Sequence, residues 1–329
     1  MNFKIRYISC VTFVLLAAIA ISACERPSTY SESEGAHTAN AEPNGATRTT
    51  HLQVVEQSPD PVTAVAELQM LLASSDLSVG PNRFIFGLIN DKLGPVRDAQ
   101  VQISTFYRNG ETMEGPIESV PGVFRKWPVG PGGIYTGLIS FDRPGVWGVG
   151  AMAVGADGSL GSASVQFEVR ESSVTPAIGS PAPRSVNKTV RNVDKLEEIT
   201  TDLDPDPEIY AMTIAEAIDA GKPLVVCFST PAFCETATCG PQLGIIKALK
   251  DKYKNRVNFI HVEILDNPLE MQGDRSKGRL TSTVIEWNLP SEPWTFIVDR
   301  GGIISGKFEG FTTSEELEEE LASVLQDKS

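Results

Sequence analysis

An α/β domain preceded by an all-β domain is the fold class that the sequence predicts. Three observations lead to it. Residues 84–169 alternate apolar and polar positions in short runs broken by Gly and Pro, with no helical spacing. Residues 172–188, S-S-V-T-P-A-I-G-S-P-A-P-R-S-V-N-K, read as a Pro/Ser linker, which we extend to 172–195. Beyond it come an apolar run at 223–228, a loop holding two cysteines, and an amphipathic stretch at 241–254.

Residues 1–23 read as a targeting segment. Lys4 and Arg6 give a basic start, 8–21 is apolar, and Ser22 and Ala23 precede Cys24. The apolar stretch is shorter than the ~20 residues of a spanning helix, so it is set aside from the fold. I-S-A-C at 21–24 resembles the bacterial lipobox, in which the cysteine is acylated and becomes the first residue. That resemblance implies lipid on Cys24 and a chain held at the bacterial cell membrane, facing the extracytoplasmic side. An ordinary secretory signal cut after Ala23 is the alternative. Cys10 falls inside the removed segment. The net charge of −14 excludes nucleic acid and electrostatic attraction to an anionic bilayer, so membrane attachment rests on lipid.

Residues 24–60 are rich in Ser, Thr, Glu, Ala, Asn and Pro and cannot bury a core, which predicts a disordered tether. His37 and His51 lie in it without cysteine nearby and read as solvated residues. Residues 61–171 read as the β-sandwich domain. It opens with a short helix over 61–73, on the spacing of Val62, Val65, Leu68, Leu71 and Leu72. Strands follow at Phe84, Phe86 and Leu88, and at Val101, Ile103 and Thr105. Further strands cover 134–141 and 146–154, then Ala163, Val165, Phe167 and Val169. A-D-G at 156–158 is a turn signal between the last two. The run G-I-Y-T-G-L-I-S-F-D-R-P-G-V-W at 133–147 resembles Ig-like modules of bacterial exported proteins, and the resemblance implies a binding or spacer role.

Residues 196–329 form the α/β domain. T-I-A-E at 213–216 is a capping box that opens a helix, and Gly221 stops it. A strand at 223–228, the cysteine loop and a helix at 241–254 come next, the helix carrying Leu243, Ile246, Leu249 and Tyr253. Residues 257–265 form a strand, 266–285 are irregular, 294–299 and 303–308 form a hairpin turned by R-G-G, and 313–326 close the chain as a helix. Its Leu317, Leu321, Val324 and Leu325 face inward, and its glutamates lie outward or in the first turns, where acid suits the dipole.

The chemistry sits in F-S-T-P-A-F-C-E-T-A-T-C-G-P-Q at 228–242. Pro241 suits the first position of a helix, which puts Cys239 just ahead of the positive helix end, where a thiolate is favoured. Cys234, upstream, can close a small ring with it. A redox pair, a structural staple and a metal site are the three readings of two such cysteines. Cys227, inside the strand run, reads as a small buried hydrophobe.

Cys239-Gly240-Pro241 matches the first three residues of the thioredoxin Cys-Gly-Pro-Cys motif, and Pro293 stands just before the strand at 294–299. With the order of elements, residues 196–329 resemble the thioredoxin fold. The resemblance implies a thiol-disulfide oxidoreductase that needs no cofactor and acts on exported proteins with thiols or disulfides. It also implies a cis peptide at Pro293, with Pro290 as the alternative, facing the active cysteine. The fourth motif position holds Gln242, so the second cysteine becomes Cys234 in a C-x4-C pair. Cys239 as attacker with Cys234 resolving, and the reverse, are both consistent; the helix position favours Cys239. Copper chaperones of this fold carry a histidine near the proline, and 293–299 has none. Peroxiredoxins place a threonine where Pro231 stands, with Thr230 one residue early. His261, beside Glu263, reads as structural. Glu263 and Asp266 are candidates for proton transfer, Glu292 for backbone pairing with substrate, and Trp287 and Trp294 for the core or a groove wall. The alternative function is a non-catalytic surface lipoprotein that binds a partner and keeps the cysteines as a structural disulfide.

Overall fold

The computed structural model describes residues 65–326 except Val129, Glu235 and Thr236. The targeting segment, the tether, Cys10, Cys24, His37 and His51 lie outside the described residues. No helix among the described residues is long and apolar enough to cross a membrane.

Where a helix was expected over 61–73, the described residues open with two strands, β1 (Val65–Glu67) and β2 (Gln69–Leu72), with 61–64 outside them. Leu68 and Met70 are buried while Gln69 and Leu71 are exposed, an alternation that the helical spacing of the same leucines masked. So short a helix is marginal alone, and pairing decides: β1 runs parallel to β10 and β2 antiparallel to β3. The other strands are β3 (Gly80–Asn90), β4 (Gly94–Pro95), β5 (Gln100–Asn109), β6 (Thr112–Glu114), β7 (Ser119–Lys126), β8 (Gly133–Phe141), β9 (Gly145–Val154) and β10 (Leu160–Val169).

These strands follow one path, β1-β10-β9-β5-β7-β8-β3-β2, rather than two separate sheets. Two partner changes bend it. The first half of β7 pairs with β5 and the second half with β8, the change falling after Gly122. The chain likewise passes from β10 to β3 at Leu68. The path therefore nearly closes around Phe84, Phe86, Ile103, Tyr135, Phe141 and Trp147, all at most 1% exposed. Trp147 meets Phe141 edge-on at 5.0 Å, and its indole N–H donates to the Arg143 carbonyl.

Residues 172–195 form no helix or strand and pair with the second half at 179–182. Gly179 N–H donates to Ile304 O, Ile304 N–H to Ser180 O, and Ala182 N–H to Gly302 O. Next come α1 (Ile214–Asp219), β11 (Leu224–Ser229), α2 (Cys239–Tyr253), β12 (Asn258–Glu263), α3 (Ser282–Glu286), β13 (Trp294–Val298), β14 (Ile304–Glu309) and α4 (Ser314–Gln326). Thr213 and Glu216 make the capping box of α1, and Gly221 ends it with φ +63°. The sheet order is β12-β11-β13-β14, with β11 and β12 parallel and the other pairings antiparallel.

Every residue of β11 is buried, as a central strand with two covered faces requires. Leu224, Val226 and Phe228 pack with Ile214, Ala217 and Val284 on one face. Val225 and Cys227 pack with residues of α2 and α4 on the other. The α/β half is thus three-layered, and the end of β11 delivers the cysteine loop.

Buried polar contacts join the two halves. Arg83 of β3 donates to both oxygens of Glu316 (2.9 and 3.3 Å) and to the carbonyls of Glu309 (2.8 Å) and Phe311 (2.9 Å). Lys307 reaches Asp76 at 3.1 Å. Burial raises the Asp76 carboxyl, but Ser173, Lys307, Val174 and Thr175 outweigh it and hold the group at about 2. Removing one partner of a buried pair strands the other, at roughly 3–5 kcal/mol.

Candidate functional site

Cys234 and Cys239 are joined as a disulfide, their Cα atoms 5.8 Å apart. Helix α2 begins at Cys239, two residues earlier than its proline suggests, so Pro241 is the third helical residue. That position still lies in the first turn, whose N–H groups have no partner within the helix, and proline costs nothing there. Gln242 N–H returns to Thr238 O at 2.8 Å.

The two sulfurs stand in different surroundings. Cys239 is fully buried, while Cys234 is half-buried in the loop. The spare N–H at the helix start, that of Cys239, donates to Cys234 Sγ at 3.3 Å. The field of the helix end is therefore aimed at Cys234. Cys227 is buried beside Ser229 and Thr295, and burial pushes its thiol up to about 12, so it stays protonated and inert.

Gln242, at the fourth motif position, is fully buried. Its amide donates to Thr295 Oγ1 (3.4 Å) and its oxygen accepts from Thr312 N (2.8 Å), tying α2 to β13 and to the turn before α4. A polar side chain there satisfies two buried groups that a cysteine would leave open.

The Glu292–Pro293 peptide is cis. Pro293 O accepts from Gly310 N at 2.8 Å. Trp294 donates from its indole to Ser291 Oγ (3.0 Å), Ser291 donates to Glu309 (2.6 Å), and Ser75 of the β half donates its N–H to the same carboxylate (2.8 Å). The segment leading to the cis-proline is thus braced by both halves. Trp287 and Trp294 are 0% and 1% exposed; Trp287 meets Phe296 edge-on at 4.8 Å and Trp294 stacks on it, so they are core rather than groove wall.

Beneath the loop lies a buried polar network. Glu263, at the end of β12, accepts from Thr201 N (2.7 Å) and Thr201 Oγ1 (2.8 Å), and that hydroxyl accepts from Ala232 N in the cysteine loop (3.2 Å). Burial pushes Glu263 up to about 7 against these hydrogen bonds. His261 lies between Tyr210 Oη (2.7 Å from Nδ1) and Ser229 Oγ (2.9 Å from Nε2), and burial pushes it down to about 4. Asp266 is instead paired with Lys188 at 2.7 Å, at the surface.

Sequence reasoning missed Arg275, in a turn after β12. Its guanidinium donates to the carbonyl of Phe233 (2.6 Å), the residue before Cys234, and to the carboxylate of Glu292 (2.7 Å), the residue before Pro293. It thereby brings the cysteine loop and the proline loop together across long stretches of sequence that no local pattern connects. Grooves are formed elsewhere among the described residues. One of about 550 Å³ runs between β7–β8 and β14–α4, lined by Val123, Leu138 and Phe308. Of the two disulfide residues, Cys234 is partly exposed and Cys239 is fully buried. Among the described residues no group of three or more His, Cys, Asp or Glu is placed to hold a metal ion.

No protein-family model matches the chain, and no curated protein matches it. Solved structures do. A candidate thiol:disulfide interchange protein DsbE from Chlorobium tepidum is similar at 15% identity, covering 46% of this chain and 99% of its own, with TM-score 0.32. MTB dsbF, in mixed oxidised and reduced forms, matches at 20% identity over 34% and 87% of the two chains, TM-score 0.28. A thiol-disulfide isomerase from Corynebacterium glutamicum matches at 18% identity over 40% and 98%, TM-score 0.29.

Proposed function

We propose that this chain is an exported thiol-disulfide oxidoreductase, held at the bacterial cell membrane by lipid on Cys24, that exchanges disulfides with exported proteins through Cys234 and Cys239. One observation carries the reading: Cys234, a half-buried residue, receives the helix-start N–H at its sulfur, while its partner Cys239 is fully buried. That asymmetry favours Cys234 as the attacker, where the helix position read from the sequence favours Cys239. In the reduced protein, the Cys234 thiolate attacks one sulfur of a substrate disulfide. A mixed disulfide forms and the other substrate sulfur leaves as thiolate. Cys239, deprotonated as it reacts, then attacks Cys234 Sγ. The second substrate thiolate leaves, the protein is oxidised to the Cys234–Cys239 disulfide, and the substrate gains two electrons and two protons. The reverse sequence oxidises a substrate dithiol. Cys227, protonated and buried, takes no part.

Trapping tests the order of attack. The Cys239→Ser variant, reduced and mixed with a denatured disulfide-bonded protein, is expected to accumulate a mixed disulfide that peptide mass spectrometry places on Cys234. The Cys234→Ser variant is expected to accumulate none. Accumulation on Cys239 instead would reverse the assignment, and accumulation in neither variant would remove the oxidoreductase reading.

A further inference from the structure

We infer that Arg275 is the positioning residue that sets the reactivity of Cys234, a role that rests on Cys234 being the attacking sulfur. The guanidinium holds two things at once. One nitrogen donates to the Phe233 carbonyl at 2.6 Å, which belongs to the peptide group that also carries the Cys234 N–H. Another pairs with Glu292 at 2.7 Å, next to the cis peptide of Pro293. A planar fork with fixed donor directions suits two acceptors on two separate loops, which a lysine ammonium would hold less firmly.

The fork also places a permanent positive charge on the carbonyl of the peptide group that leads into Cys234. An opposite charge nearby favours the thiolate. Glu292 draws part of that charge toward itself, its side chain only 11% exposed against 35% for Arg275. The two residues therefore act on Cys234 in opposite senses: the guanidinium stabilises the thiolate, and the carboxylate tempers it. Neighbouring charges on the same turn are engaged elsewhere, Lys277 with Asp274 and Arg279 with Glu270. From below, Glu263 and His261 of β12 are buried in their own hydrogen bonds, and Glu263 reaches the loop through Thr230 and, by way of Thr201, through Ala232.

The opposite signs separate an electrostatic role from a merely structural one. In the Cys239→Ser background, with Cys227 buried, alkylation by iodoacetamide reads the Cys234 thiolate as a function of pH. Arg275→Ala is expected to slow alkylation at neutral pH roughly tenfold and move its pH midpoint up by about one unit. Glu292→Gln is expected to speed it and move the midpoint down. If both variants shift the midpoint the same way, or neither shifts it, the inference is overturned. Should Arg275→Ala not fold, as far-ultraviolet circular dichroism would show, Glu292→Gln decides alone: acceleration supports the role, while slowing or no change refutes it. A folded Cys239→Ser protein whose Cys234 does not alkylate at all would sink the proposed function itself. A reactive Cys234 that ignores Arg275 sinks only this inference.

Discussion

Cys234→Ser is expected to abolish disulfide exchange, lowering the rate on the order of a thousandfold or more. A serine hydroxyl is not ionised near neutral pH and cannot replace a thiolate held by a helix end. Cys239 cannot substitute for it, since it is fully buried and its own N–H points at the sulfur of Cys234. Cys227 cannot either, because burial keeps its thiol protonated. Cys239→Ser should retain a single attack and lose only turnover. The assay follows reduction of a protein disulfide by the full chain under excess dithiothreitol. A Cys234→Ser protein that turns over at the rate of the unsubstituted chain would contradict the assignment.

The second large effect is a change in how stability depends on pH. Glu263 titrates near 7 in the folded protein against an ordinary 4.5. Between those values the native state holds a proton that the unfolded state lacks. Its contribution is therefore complete below about 4.5 and is lost as pH rises to 7. His261 titrates near 4 against 6.5, so the unfolded state takes up a proton first. Its contribution is complete above about 6.5 and is lost as pH falls toward 4. Each slope is about 1.4 kcal/mol per pH unit, of opposite sign. Between pH 4.5 and 6.5 they cancel. A cavity of about 70 Å³ bordered by Tyr210, His261 and Glu263 has room for water, so both groups can exchange protons in the folded chain.

Glu263→Gln removes one slope and leaves the other. Relative to the unsubstituted protein, in which the Glu263 and His261 slopes cancel, stability of the variant should rise by roughly 2–3 kcal/mol from pH 4.5 to 6.5. Glutamine also presents an NH2 group where Ile264 and Leu265 now donate their N–H groups, which lowers stability at every pH. The slope, and not the level, is the readout, taken from urea unfolding at three pH values. A variant as level as its parent would show that His261 and Glu263 do not titrate as their burial implies.

Much of the α/β half was legible because its signals are local. The capping box at Thr213 and Glu216, the stop at Gly221 and the apolar run of β11 each lie within a few residues. The β half was legible where alternation is unbroken, as in β3 and β5, and not where it is interrupted. Strand β7 carries Pro121 and Gly122 at its partner change, so no unbroken alternation marks it. Strands β1 and β2 read as a helix because three leucines at helical spacing outweighed the shorter period of Leu68 and Met70.

The candidate site was half legible. Its cysteines and proline are short motifs, but which cysteine is the less buried follows from where α2 begins, and two residues decide that. Arg275, Thr201 and Glu309 act through contacts far apart in sequence; Ser75 and Glu309 stand 234 residues apart. Long-range hydrogen bonding leaves no periodicity for a single sequence to display.

The equilibrium reduction potential of the Cys234–Cys239 pair, measured on the full chain by thiol trapping and mass spectrometry, tests the central claim most directly. A redox-active pair is expected between about −120 and −270 mV, the range of thiol-disulfide oxidoreductases. A value below about −300 mV would mark a structural bridge, and a chain that binds partners rather than one that exchanges disulfides with them.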